Sequence, residues 1–183
     1  MTEASLRAER SPPRLPVREV TLVPIQPIDA EALERIVAAL QLRGVRVERK
    51  PAILRPRDSY DARRRQLRAE VLLERVASAS ERPVLGITDA DCYAGTLNFV
   101  FGIAAVGQGA ALVSLARLTS GESASALAAR ALKEIFHELG HAAGLGHCDH
   151  PRCVMRFSNS LAEADAKAEE LCEACARRLS NRP

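Results

Sequence analysis

Residues 137–147 read HELGHAAGLGH. Two histidines four positions apart on a helix stand one turn above each other and can turn their ring nitrogens to one metal ion. The segment is therefore expected to be helical through His141. A third histidine six positions further on cannot reach the same point if the helix continues. Gly144 resolves this, because glycine accepts the positive φ that ends a helix and returns the chain, so His147 can approach from below. His137, His141 and His147 then make three protein ligands and leave one tetrahedral position open, the arrangement of a catalytic zinc. Glu138, beside the first ligand, is placed to take a proton from water at that position and pass it to a leaving amine. Glu163 is the nearest acid that can replace His147 as third ligand, and His150, next to Pro151, reads as a loop residue.

The helix is predicted from Glu122 to Leu145, introduced by Ser120 and Gly121, with Leu127, Leu132, Ile135, Phe136 and Leu139 as its apolar stripe. All four histidines fall within 137–150, and the cysteines stand at 92, 148, 153, 172 and 175. The ligand-type residues of a 183-residue chain are thus gathered near its end. An odd cysteine count without a secretory leader argues against a disulfide framework and for metal or redox chemistry. The first sixteen residues, MTEASLRAERSPPRLP, contain no apolar run and read as a flexible tail. A cytoplasmic protein is expected.

Composition excludes several classes. Hydrophobic residues are 47% and charged residues 27%, an average globular mixture that rules out wholesale disorder. With 26 basic against 23 acidic residues, a net charge of +3, 3% aromatics and no Trp, a nucleic-acid stacking surface is not expected. The most membrane-like stretch, FVFGIAAVGQGAALVSLA at 99–116, is interrupted by glycines and a glutamine. It reads better as two strands around a VGQG turn than as a span, so no membrane partner is expected.

Further along the chain, Val17 to Ile25 reads as a strand. Asp29 caps a helix over Ala30 to Leu42 that Gly44 ends, and Val45 to Arg49 alternates as a second strand. A second helix is predicted over Ser59 to Ser78, from Leu67, Val71, Leu72 and Val76, with Arg63, Arg64 and Arg65 on a solvated face. Strands follow at Val84 to Ile87, Asn98 to Val106 and Ala110 to Leu118. This order implies an α/β fold with at least some parallel pairing. One domain is expected, with residues 17–146 carrying the sheet and the zinc helix and 147–183 forming a C-terminal part.

From His137 to Cys175 the chain resembles the archaemetzincins, a family within the metzincin metallopeptidases. The resemblance rests on His137 to Gly144, Cys148, Cys153, Met155 and the pair Cys172 and Cys175. It extends upstream to GITDADCYAGTLNFVFG and VSLARL. Sixteen residues separate Met155 from Cys172, one fewer than in the family's pattern. The resemblance implies a compact α/β domain with a mixed, mostly parallel twisted sheet of about five strands, an active-site helix, a Met-turn and a C-terminal helix. It implies that Met155 packs beneath the histidine rings, and that the stretch Phe99 to Val106 is an antiparallel edge strand able to hold an extended peptide. Phe157 stands where some metzincins carry a tyrosine ligand, which excludes a ligand there.

Cys148 and Cys153 form a C-x4-C pair and Cys172 and Cys175 a C-x2-C pair. Four thiolates close a tetrahedral shell suited to a structural zinc and leave nothing open for substrate. Such a site pins a helix from about Ala162 to Leu179 against the loop after His147. A redox pair at Cys172 and Cys175 is the rival, but its flanks are helical and charged, whereas a thioredoxin-like pair follows a strand. Cys92 reads as a free, partly buried thiol. The expected function is hydrolysis of peptide bonds by a monomer holding two zinc ions, one catalytic and one structural. The alternatives are a zinc-bound peptide-binding scaffold with little turnover and, last, a nucleic-acid-binding zinc module, which the acidic flank Glu163, Asp165, Glu169, Glu170 and Glu173 disfavours.

Overall fold

A computed structural model of the chain describes residues 14–81, 83–119 and 123–182. Strand β1 (Glu19–Pro24) leads into helix α1 (Ala30–Leu42), whose first turn is capped by the Asp29 carboxylate accepting from the Ala32 N–H at 2.7 Å. Gly44 at φ +79° ends the helix and feeds β2 (Arg46–Arg49). After helix α2 (Ala69–Ala77), strand β5 (Val84–Thr88) precedes the hairpin of β7 (Gly102–Ala105) and β8 (Ala110–Ser114). These strands form a five-stranded sheet in the order β2-β1-β5-β8-β7, parallel except for β7, which pairs antiparallel with β8 at one edge. A smaller sheet joins β3 (Tyr60–Asp61), β4 (Gln66–Arg68) and β6 (Cys92–Tyr93).

Helices cover both faces, as parallel sheets require. All five residues of β5 and of β8 are buried, the signature of strands covered on both sides. On one face Leu33, Ile36 and Leu40 of α1 pack with Leu22, Leu85 and Val113 and with helix α3 (Ala124–Ala142) through Ile135, Phe136 and Leu139. On the other, Leu72 and Val76 of α2 pack on Val84, Ala110 and Leu112. The first cluster continues into Val154, Met155, Leu171 and Cys175, so the C-terminal residues belong to the core beneath α3.

Three expectations are corrected. The helix over Ser59 to Ser78 begins only at Ala69; before it lie a short 3-10 turn (Arg57–Ser59) and the pair β3 and β4, joined by a loop in which Arg65 takes φ +56°. Asp61 makes that loop, its carboxylate accepting from the N–H groups of Arg63 and Arg64. The helix expected from Ala162 to Leu179 is two helices, α4 (Leu161–Ala166) and α5 (Glu173–Ser180), split where Lys167 leaves helical geometry with ψ 157°. Strands β7 and β8 are shorter than expected, because Phe99 to Phe101 and the residues after Ser114 leave the ladder. Residues 1–13 of the expected tail and the segment 120–122 before the zinc helix lie outside the described residues. The Leu171 N–H donates to the Arg14 carbonyl, the Arg14 Nε donates to the Leu171 carbonyl, and Leu15 is buried.

Candidate metal centres

The α3 helix starts at Ser123, whose hydroxyl accepts from the Ala126 N–H, and its last two turns carry His137, Glu138 and His141. Its final carbonyls are satisfied from outside. The N–H groups of Gly107 and Gly109 in the β7–β8 turn donate to His141 and Ala142, and the Arg182 guanidinium donates to the carbonyls of Ala143 and Gly144. Gly144 sits at φ +87°, and the chain turns there as the motif predicts.

That turn brings His147 back. The ring centroids are 4.6 Å apart for His137 and His141, 4.8 Å for His141 and His147, and 5.4 Å for His137 and His147. The Nδ1 of His137 donates to the Val154 carbonyl and that of His141 to the Leu145 carbonyl, each at 2.8 Å. A carbonyl can only accept, so both Nδ1 atoms carry the proton and both Nε2 atoms are bare lone pairs. Those two Nε2 atoms face each other at 3.1 Å. Two lone pairs at that distance, with no proton between them, repel unless a cation lies between, and the donor set fits a metal ion. Burial, with the nearby Lys167 charge, pushes His137 down to about 3, and burial lowers His141 and His147. All three imidazoles are therefore in the neutral, ligating form at pH 7.

Glu138 is 6% exposed and lies against the edge strand. A Cβ on Gly102 would come within 2.6 Å of both the Glu138 Cγ and the Leu112 carbonyl oxygen, so only glycine lets β7 and the carboxylate approach this closely. Burial and the neighbouring Glu134 charge push the Glu138 carboxyl up to about 8. A cation between the imidazoles would favour its ionised form. The histidines and Glu138 open onto a cleft of about 650 Å³ between α3, β7 and the loop carrying Phe157.

The four C-terminal cysteines also converge. Within each of the two groups, Cys148, Cys153, Cys172 with Cys175 and His137, His141 with His147, the ligand atoms lie within 4.8 Å of one another. The Sγ atoms of Cys148 and Cys172 are 3.8 Å apart, and the Cys172 N–H donates to the Cys153 Sγ at 3.3 Å. Cys172 caps the N-terminus of α5. Burial alone would raise its thiol, but the Cys175 N–H and the adjacent thiols hold it down at about 7, while burial pushes the Cys153 and Cys175 thiols up. Thiols that crowd together in this way, two buried and two partly buried, are the donor set of a closed tetrahedral metal site.

The two centres share backbone. Cys148 follows His147 directly, the Val154 carbonyl that orients His137 belongs to the residue after Cys153, and the Val154 N–H donates to the Glu170 carbonyl at 2.9 Å. Met155 is fully buried beneath α3, where a Cβ on Gly140 would lie 2.2 Å from its Sδ. Sequence reasoning singled out the three histidines, Glu138, Gly144, Met155 and the four cysteines, but it missed two buried side chains beside the centre, Glu134 and Lys167. Glu134 lies three residues before His137 and four before Glu138, so helical spacing pointed to it, whereas nothing local marks Lys167. Cys92 is fully buried rather than partly so, and burial raises its thiol to about 12, which makes it inert. Glu163 accepts at 2.9 Å from the Asn159 N–H and serves the start of α4 instead of the histidine centre. His150 is an exposed loop residue, as expected.

Residues 56–181 match peptidase family M54. The chain belongs to that family. It is 50% identical over 104 residues to the archaemetzincin of Pyrococcus furiosus, and the alignment spans about half, 54%, of each protein. It is 44% identical over 140 residues to the archaemetzincin of Methanopyrus kandleri, covering 75% of this chain and 79% of that one. The crystal structure of archaemetzincin from Archaeoglobus fulgidus complexed with malonate superposes with a TM-score of 0.78 at 32% identity, over 87% of this chain and 99% of that chain. The mixed α/β fold is thus the archaemetzincin fold, and membership of the family makes the protein a zinc metallopeptidase. No helix among the described residues is long and apolar enough to cross a membrane.

Proposed function

We propose that the protein hydrolyses peptide bonds at the three-histidine centre, and that the four cysteines hold a second, structural zinc. The observation that carries the first part is the pair of facing Nε2 atoms with both Nδ1 protons committed to backbone carbonyls. His137, His141 and His147 would hold the catalytic ion, which supplies Lewis-acid polarisation of the scissile carbonyl and of water. Glu138 accepts the proton of the attacking water and delivers it to the departing amine nitrogen, so one carboxylate serves as base and then as acid. Its packing between α3 and β7 keeps it in one position for both transfers. The β7 edge leaves its outward backbone groups unpaired by the sheet beside the same cleft, and an extended peptide would add there as a further strand.

Cys148, Cys153, Cys172 and Cys175 fit a structural ion because they lie in the core, with Cys153 and Cys175 almost wholly shut from solvent. The metzincin Met-turn assignment for Met155 is supported by its place beneath Gly140. A cytoplasmic location and a monomeric state belong to the same reading and rest on sequence alone. The test is Glu138→Gln. Zinc content per chain is expected to stay at the wild-type value while cleavage of a mixed peptide library disappears. Cleavage at the wild-type rate by this variant would overturn the mechanism.

A further inference from the structure

The cleft beside the histidines is mostly apolar, walled by Leu97, Phe99, Phe101, Ile103, Val106 and Phe157. Two polar groups in its lining are shut from solvent and have no role in the mechanism. Glu134 is 3% exposed, and its carboxylate has one partner among the described residues, the Nζ of fully buried Lys167 at 2.9 Å. A carboxylate offers about four acceptor sites, so most of its capacity is unused. The Ser158 hydroxyl is also shut from solvent and has no hydrogen-bond partner among the described residues. Buried polar groups left unpaired carry a desolvation penalty that a fitting ligand removes.

We propose that Glu134 and Ser158 form a polar subsite that selects an uncharged, hydrogen-bonding side chain, glutamine in particular, from a peptide lying along β7. This rests on the peptidase reading for its substrate class, but the argument for the subsite is separate. Charge decides what enters. Lys167 already neutralises Glu134, so a lysine or arginine side chain would bring an uncompensated cation into a buried site beside the metal centre. An acidic side chain would bring an uncompensated anion beside that neutral pair, with no Lys or Arg among the described lining residues to offset it. A carboxamide has the matching groups, an N–H for the carboxylate and a carbonyl for the serine hydroxyl. Methionine, of similar length, fills the space but leaves both protein groups unpaired, and a site built to bond a polar group rejects its apolar isostere for that reason.

The test uses zinc-loaded Glu138→Gln protein, which binds without cleaving. Blocked hexapeptides on an alanine background carry Gln, Met, Lys or Glu at each position in turn, and binding is read by competition in fluorescence polarisation. At one position Gln is expected to bind about 10-fold more tightly than Met, the worth of one or two hydrogen bonds in an otherwise closed site, with Lys and Glu weaker still. Adding Glu134→Leu with Lys167→Met removes both charges together and avoids stranding either one; in that protein Met should equal or exceed Gln. Ser158→Ala, at a half-exposed loop position, should lower the Gln preference without touching the ion pair. Equal binding of Gln and Met at every position, an unchanged preference in both variants, or no binding by any peptide overturns the subsite. Cleavage by the protein with Glu138 intact is measured in parallel on the same peptides. Cleavage without a Gln preference sinks the subsite alone, whereas Gln-selective binding without cleavage sinks the peptidase reading alone.

Discussion

Gly140→Ala sets two physical effects against each other. The position lies inside α3, where alanine is favoured over glycine by about 0.8–1 kcal/mol. Propensity alone therefore forecasts a more stable protein. The new Cβ would stand 2.2 Å from the Met155 Sδ and 3.0 Å from its Cε. Non-bonded heavy atoms rest at about 3.5–4.0 Å, so the thioether has to retreat by roughly 1.5 Å. Met155 is fully buried, and forced repacking in a full core costs about 1–3 kcal/mol, so the net expectation is a loss of about 0–2 kcal/mol. The larger consequence is at the metal centre. A retreat of Met155 carries the adjacent Val154 carbonyl away from the His137 Nδ1, which it now meets at 2.8 Å. Loss of such an orienting bond typically weakens a metal site about 10–100-fold, equivalent to roughly 1.4–2.7 kcal/mol. Urea unfolding of the zinc-free protein reads the first quantity, and zinc titration against a chromophoric chelator reads the second. Adding Met155→Leu, a volume-conserving change that lacks the reaching thioether, should recover most of the zinc affinity. A Gly140→Ala protein that is more stable by about 1 kcal/mol and binds zinc as tightly as wild type would refute the contact between the helix and the methionine turn.

Replacing Cys172 with serine should cost one zinc per chain, lower the thermal midpoint, and weaken the histidine site as well, since the turn from Cys148 to Met155 carries parts of both centres; full stability and zinc content would contradict the structural-site assignment. The zinc-free protein should be acid-sensitive well above the carboxylate range. The His137 pKa is about 3 when folded, against about 6.5 unfolded, so the unfolded chain binds more protons between those values. Stability is then full above pH ~6.5 and falls as the pH drops towards 3, by at most about 5 kcal/mol from this residue. Unfolding curves on chelator-treated protein at several pH values test this, and a profile that stays flat between pH ~7 and pH ~5 would reject a buried neutral His137.

Much of the site was legible because its rules are local. The spacing of His137, His141 and His147 requires a helix, a stop and a return, and Gly144 at φ +87° supplies the stop where the sequence put it. Asp29, Gly44 and the apolar face of Leu33, Ile36 and Leu40 set both ends of α1. Periodicity failed where elements were too short to have a period. The pair β3 and β4 spans two and three residues, and its loop depends on the Asp61 carboxylate and a left-handed Arg65, neither of which breaks a helical pattern on paper. The division of α4 from α5 was invisible for a different reason: Lys167 leaves helical geometry as its charge reaches Glu134 on another helix, and charged residues in helical sequence ordinarily face solvent.

By itself, then, the sequence determined which residues can ligate metal, where the zinc helix must end, and that the sheet has at least some parallel pairing, because each of these follows from the spacing and order of elements along a chain of fixed geometry. Only the tertiary structure decided which groups surround those ligands. The carbonyls that set the histidine tautomers, the glycine on β7 that admits Glu138, the methionine beneath Gly140 and the buried pair of Glu134 and Lys167 come from segments far apart in the chain or on separate elements. Such contacts depend on how helices and sheet close over one another, and packing of that kind leaves no period to read.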